Sequence, residues 1–185
     1  MIICGVDLGT RKSAVSRLSV GSDRDDVPMA MPMSRVNAIS LMVHPTQRAN
    51  ELHILATMTS EACEGSNYVF IEEPLVGRGV KASMGISQTA GAVMAWLGQM
   101  SIPTELVNVS HWKKGLLGKG NASKEDIEMW LSTNYPVYSA ECDDQDQRDA
   151  TCVALYGWQT LRSLKAGLFR DEVSDPRSVS GVEPS

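Results

Sequence analysis

Apolar runs and stretches with helical spacing alternate along most of this chain. Ile2-Ile3-Cys4-Gly5-Val6 has no polar alternation, which predicts a strand over residues 2–8 buried on both faces. The turn Gly9-Thr10-Arg11-Lys12 leads to its hairpin partner over 14–20, and the proline-interrupted stretch 27–33 predicts an irregular edge strand. Ala49, Leu52, Leu55, Ala56 and Thr59 share one helical face, predicting a helix over 46–63 just after Pro45. A strand over 67–72, a helix over 83–100, a strand over 104–109 and a short helix over 111–117 follow. Ser123 with Asp126 makes an acidic capping box opening a helix that runs through 133, and Pro136 closes that region. The last helix is expected over 145–166, its inner stripe made by Ala150, Val153, Ala154, Gly157, Leu161 and Leu164. This order predicts an α/β domain over residues 1–170, with a mixed sheet covered by helices on both faces. Residues 171–185, rich in Ser, Pro, Gly and acids, predict a disordered tail.

Composition changes this picture little. With 185 residues, 43% hydrophobic and 21% charged, the chain is sized for one globular domain. No apolar stretch reaches membrane-spanning length, and the N-terminus lacks the basic-then-apolar order of a signal peptide. Cys4, Cys63, Cys142 and Cys152 have no paired short spacing, and His44, His53 and His111 are scattered, which argues against zinc and for an intracellular protein with reduced thiols.

Charge is more informative in its distribution than in its sum of −5. The last fifteen residues contribute −3, whereas Val76–Lys124 carries Arg78, Lys81, Lys113, Lys114, Lys119 and Lys124 against Glu105 alone, a net +5. Phosphate binding depends on such a local patch rather than on the overall balance. A solvated face is the plain alternative for any such count, but here the bases stand in glycine-bearing loops.

Four carboxylates carry the candidate chemistry. Asp7 and Glu72 each end an apolar strand, where burying an unpaired carboxylate is costly. Asp146 and Asp149, three apart at a helix start, project from one face. That pair alone is explained by capping and dipole compensation. Together with two strand-end acids it describes a set of oxygen ligands suited to Mg2+ or Mn2+, one or two ions per site. Trp96, Trp112, Trp130 and Trp158 occupy helical positions and are expected to pack, and the ten methionines are expected to fill the core.

With these residues in hand, the chain resembles the RuvC family of Holliday-junction resolvases, within the ribonuclease-H-like nucleases. Gly5-Val6-Asp7-Leu8-Gly9 is similar to the family's opening Gly-Ile-Asp-Pro-Gly, and Phe70-Ile71-Glu72-Glu73 to its Phe-Ile-Glu-Gln strand end. Gln88 and Gly91 follow at the family's spacing. Lys113 and Gly118-x-Gly120-x-Ala122-x-Lys124 resemble its Lys…Gly-x-Gly-x-Ala-x-Lys segment, and Asp146-Gln147-Arg148-Asp149-Ala150 its Asp-x-x-Asp-Ala. Each motif is weak alone; five in order over most of residues 1–170 are specific.

The resemblance implies a ribonuclease-H-like fold and a homodimer that binds four-way and other branched DNA and makes paired nicks with Mg2+ or Mn2+. It makes Asp7, Glu72, Asp146 and Asp149 the catalytic metal ligands and sets Lys113 and Lys124 near the DNA backbone; Arg78, Lys81, Lys114 and Lys119, from the basic patch, are further candidate DNA contacts. It implies no membrane and no nucleotide cofactor, and a setting in the cytoplasm of a bacterial or phage-infected cell. Where the family often has a stacking aromatic, this chain has Leu75, an aliphatic wedge at best. Glu73 replaces a neutral amide and is expected to face solvent. Ala90, Gly91, Ala92, Ala95 and Gly98 are small enough to admit a second helix, in a dimer or against the chain's own sheet. Three other readings stay open: a YqgF-like RNA-processing nuclease; an actin-like-ATPase type of phosphate-binding protein, from Asp7-Leu8-Gly9-Thr10; and a junction-binding module without catalysis.

Overall fold

The computed structural model describes residues 1–10, 12–21, 29–30, 34–37, 45–74 and 80–173. Leu75, Arg78 and residues 174–185 of the expected tail lie outside the described residues, and so does the side chain of Lys81.

Among the described residues six strands form one mixed sheet in the order β3-β2-β1-β5-β6, with β4 also paired to β2. β1 (Ile2–Leu8) and β2 (Lys12–Ser19) are an antiparallel hairpin in which Leu8 faces Ser13 and Ile2 faces Ser19. β5 (Tyr68–Glu72) runs parallel to β1, and β6 (Thr104–Val107) parallel to β5. Within the edge strand expected over 27–33 the described residues form β3 (Met29–Ala30), and β4 (Ser34–Asn37), which the sequence reading lacked, follows; both pair antiparallel with β2.

The unbroken apolar character of β1 and β5 follows from burial on both faces. Cys4, Val6, Leu8, Val69 and Ile71 pack under α1 (Pro45–Ala62) and α2 (Val80–Gln99). Ile3 and Phe70 point the other way, into a cluster with α3 (Val109–Leu117), α4 (Lys124–Asn134) and α6 (Gln145–Val173). On that second face α6 crosses β1 at Gly5. A Cβ there would come within 2.1 Å of the Ala150 carbonyl oxygen and 2.4 Å of the Ala154 nitrogen, so only glycine lets helix and strand meet so closely.

α2 starts three residues earlier than the sequence reading and α3 two, taking Val109 from the strand expected over 104–109, and two further boundaries differ more. Pro136 does not close a region but starts α5 (Pro136–Ala140), because a proline lacking an N–H is tolerated in the first turn. α6 continues to Val173, beyond the expected end at 166 and into the stretch read as tail. All four cysteines are free and buried. Trp112 and Trp158 are buried, as packing residues should be; among the described methionines Met94 and Met100 pack partly buried against the core, whereas Met84 and Met129 are exposed. Among the described residues no helix is long and apolar enough to cross a membrane.

Candidate active site

Strand parity and register bring the first two acids together. Val6 pairs with Ile71 across the parallel β1/β5 ladder, so Asp7 and Glu72 follow side by side at the strand ends. Both share the face of Ile3, Gly5 and Phe70, the one covered by α6. The N-terminus of α6 stands over them. Asp144 caps it, its Oδ1 accepting the Gln147 N–H at 3.0 Å, and Asp146 lies in the first turn with Asp149 three residues on. The Gly5 contact therefore fixes how far the helix acids stand from the strand acids.

Glu72, Asp149 and Asp146 each have a partner. Trp112, fully buried on α3, donates its indole N–H to Glu72 Oε2 at 3.0 Å. Gln145 Nε2 donates to Asp149 Oδ1 at 2.8 Å. Lys12, the first residue of β2, forms an ion pair with Asp146 and lies 3.6 Å from Asp144. A cleft of about 330 Å³ is lined by Asp7, Glu72 and Asp149 together with Lys113 and Lys124. A second cleft, of about 360 Å³, has Asp7, Lys12 and Asp146 in its wall. Asp7 thus borders both.

The crowding shows in the acidities. Burial, reinforced by Glu72, Asp149 and Asp146 and opposed by Lys12, pushes the Asp7 carboxyl up to about 8. Burial and Asp149 push Glu72 up to about 7, against the Trp112 hydrogen bond and Lys113. Asp149 is raised too, chiefly by burial, with the Gln145 hydrogen bond and Lys113 opposing. Several carboxyls that cannot all ionise together at neutral pH form a set that a divalent cation would relieve, and its donors are the hard oxygens such ions take. As they stand, no three acid, histidine or cysteine side chains among the described residues close around one point. Asp146 is turned to Lys12 and Asp149 to Gln145.

No family model matches the sequence. The crossover junction endodeoxyribonuclease RuvC of Chlorobaculum parvum is 29% identical over 136 residues, which span 71% of this chain and 67% of that protein. The RuvC structure from Thermus thermophilus superposes with a TM-score of 0.71 at 17% identity, over 90% of this chain and 97% of that one. The same protein in complex with Holliday junction substrate gives 0.73 at 18% identity, over 88% and 96%. The chain is thus similar to the RuvC family in sequence and shares its fold. Its sheet and helices are the ribonuclease-H-like fold of that family. The Fowlpox virus resolvase in complex with substrate Holliday junction DNA shares the fold more distantly, at a TM-score of 0.55 and 13% identity over 87% of this chain and 99% of that one.

Of the residues the RuvC-family motifs point to, Asp7, Glu72, Asp149, Lys113 and Lys124 line one cleft, and Asp146 lines the adjoining one. Lys113 Nζ donates to the Ala122 carbonyl at 2.9 Å, tying α3 to the loop before α4. Lys114 is exposed on α3, and Lys119 pairs with Asp126 of the capping box at 2.7 Å; neither borders the cleft. Glu73 is exposed, as expected, but its carboxylate also accepts a hydrogen bond from Asn108 Nδ2 at 3.0 Å, joining β5 to the cap of α3. Lys12, Trp112 and Gln145 escaped the sequence reading as site residues. For Trp112 a signal existed, since a buried indole N–H needs an acceptor.

Proposed function

We propose that this protein is a structure-selective endonuclease that resolves four-way DNA junctions, and with them other branched DNAs, by metal-dependent phosphodiester hydrolysis as a homodimer. The supporting observation is the approach of Asp7 and Glu72, from parallel strand ends, to Asp146 and Asp149 at one helix N-terminus, with Lys113 and Lys124 lining the cleft of Asp7, Glu72 and Asp149. The names of the related proteins point the same way: a crossover junction endodeoxyribonuclease, and structures bound to Holliday junction DNA.

In this reading Asp7, Glu72, Asp146 and Asp149 hold Mg2+ or Mn2+, which when bound supplies charge neutralisation at phosphorus and an activated water. The protein's own groups do the positioning. Trp112 holds Glu72, Gln145 holds Asp149, and Lys113 and Lys124 present positive charge to the DNA backbone in the cleft. Phosphate contacts of this kind carry no base sequence, so selectivity comes from the shape of the branch.

The dimer is supported by α2. Gly91, Ala95 and Gly98 lie on its exposed side, and a Cβ added at either glycine would meet nothing within 4 Å, so they do not serve close packing on the chain's own sheet. Ala90 does, being buried in the core.

The deciding experiment is cleavage of a mobile-free four-way junction, a fork and a linear duplex, each with Mg2+, Mn2+ or excess chelator. Symmetric nicks on the junction that disappear with chelator are expected, and cleavage that persists in chelator would overturn the reading. Equal cutting of linear duplex would leave a nuclease without junction selectivity.

A further inference from the structure

Lys12 sits where a cation matters most. The Gly9 N–H donates to its carbonyl oxygen at 2.9 Å, and a Cβ on Gly9 would come within 2.4 Å of that oxygen, so the β1–β2 turn is held at one width. The turn folds Lys12 back beside the end of β1, where its ammonium pairs with Asp146 and approaches Asp144. The two acids differ in their freedom. Asp144 uses its other oxygen to cap α6, whereas Asp146, in the first turn, lines the same cleft as Asp7 and Lys12.

We propose that Lys12 is a resident counter-ion of the acidic site: its ammonium holds the Asp146 carboxylate in the cation-free protein and is displaced when a divalent cation draws that carboxylate toward Asp7. This rests on the reading of the four acids as cation ligands. The ammonium and the incoming ion approach the same carboxylate from one cleft, and two positive charges at one carboxylate repel. The swap is reversible because the ammonium is half-exposed on a flexible four-carbon stem and can turn into water. Lys12 thereby sets the cation concentration at which the site closes, and keeps the helix acids neutralised when no ion is bound.

The test titrates Mn2+ alone, without DNA, into the full-length wild type, K12M and K12R, and follows heat. Losing one partly exposed ion pair should tighten Mn2+ binding by K12M about two- to fivefold, whereas K12R, which keeps the charge, should match the wild type. In the wild type itself, the ε-carbon NMR resonance of Lys12 should move as Mg2+ is added, which needs no variant to fold. Unchanged or weaker Mn2+ affinity in K12M, or a Lys12 resonance that stays still while the ion binds, overturns the counter-ion role and leaves the acids as ligands. Failure of both wild type and K12M to bind Mn2+ overturns both readings.

Discussion

Trp112 and Glu72, forty residues apart, meet in a 3.0 Å hydrogen bond that joins helix α3 to the end of strand β5. The indole is fully buried, so this N–H has no water to fall back on, and the bond fixes one oxygen of a carboxylate in the cleft. Trp112→Phe keeps most of the ring and removes the donor. Cleavage should fall roughly 10-fold or more, as for other groups that orient a ligand. Because the lost bond favoured the ionised form, the pH at which activity rises should shift upward, a change that a packing defect alone would not produce.

Asp7→Asn should abolish junction cleavage while leaving junction binding within a few-fold in gel-shift assays, since Lys113 and Lys124 are untouched. Its stability effect has a definite sign. In the metal-free protein Asp7 holds its proton up to about pH 8, whereas the unfolded chain releases it near 4. Stability from this group is complete below the unfolded value and is lost as pH rises toward 8. In chelator, Asp7→Asn should therefore stabilise the fold clearly at pH 8 and hardly at all near pH 4, measured by denaturant unfolding. Equal effects at both pH values would contradict the burial of this acid.

Lys113 and Lys124 face the same cleft but differ in their internal duties. Lys124→Ala should weaken binding on every junction sequence alike and lower the salt slope of binding by roughly one unit, with no change in melting temperature. Lys113→Ala should do the same to the slope, and in addition destabilise the fold by about 1 kcal/mol by releasing the Ala122 carbonyl. Salt titrations paired with thermal melts separate the two.

Gly91→Arg tests the proposed dimer. Replacing an exposed glycine in mid-helix should stabilise a monomer by up to about 1 kcal/mol, because arginine is the better helix former. A large charged side chain on a helix–helix contact should nonetheless split the dimer. Sedimentation is expected to move from dimer to monomer at micromolar concentration while the melt stays the same or improves. A variant that still sediments as a dimer would exclude this face.

Much of the site was legible in the sequence because its acids end regular elements. An apolar run closing on Asp7 or Glu72 reads as a strand that delivers a carboxylate to the sheet edge, and Asp146-x-x-Asp149 reads as one helix face. The groups that hold those acids were not legible. Lys12 reaches Asp146 from a hairpin, and Trp112 reaches Glu72 through tertiary packing, so neither pairing leaves a local spacing. α5 was missed because a proline both ends and begins helices, and only the chain around Pro136 decides which. The methionines misled for a similar reason. Hydrophobic character places a residue inside on average, but Met84 and Met129 lie on helix faces turned to solvent.

The contact of Gly5 with the backbone of α6 has a consequence for how this protein tolerates change. Two of the acids ride on the strands and two on the helix, so their spacing is a gauge read across that single crossing point. Drift that thickens the crossing, even by one methyl group, lifts one half of the gauge from the other without touching any acid. Chains that still bind branched DNA but no longer cut it should therefore arise most easily by substitution at Gly5 or along the Ala150–Ala154 turn, far more quietly than by loss of a carboxylate.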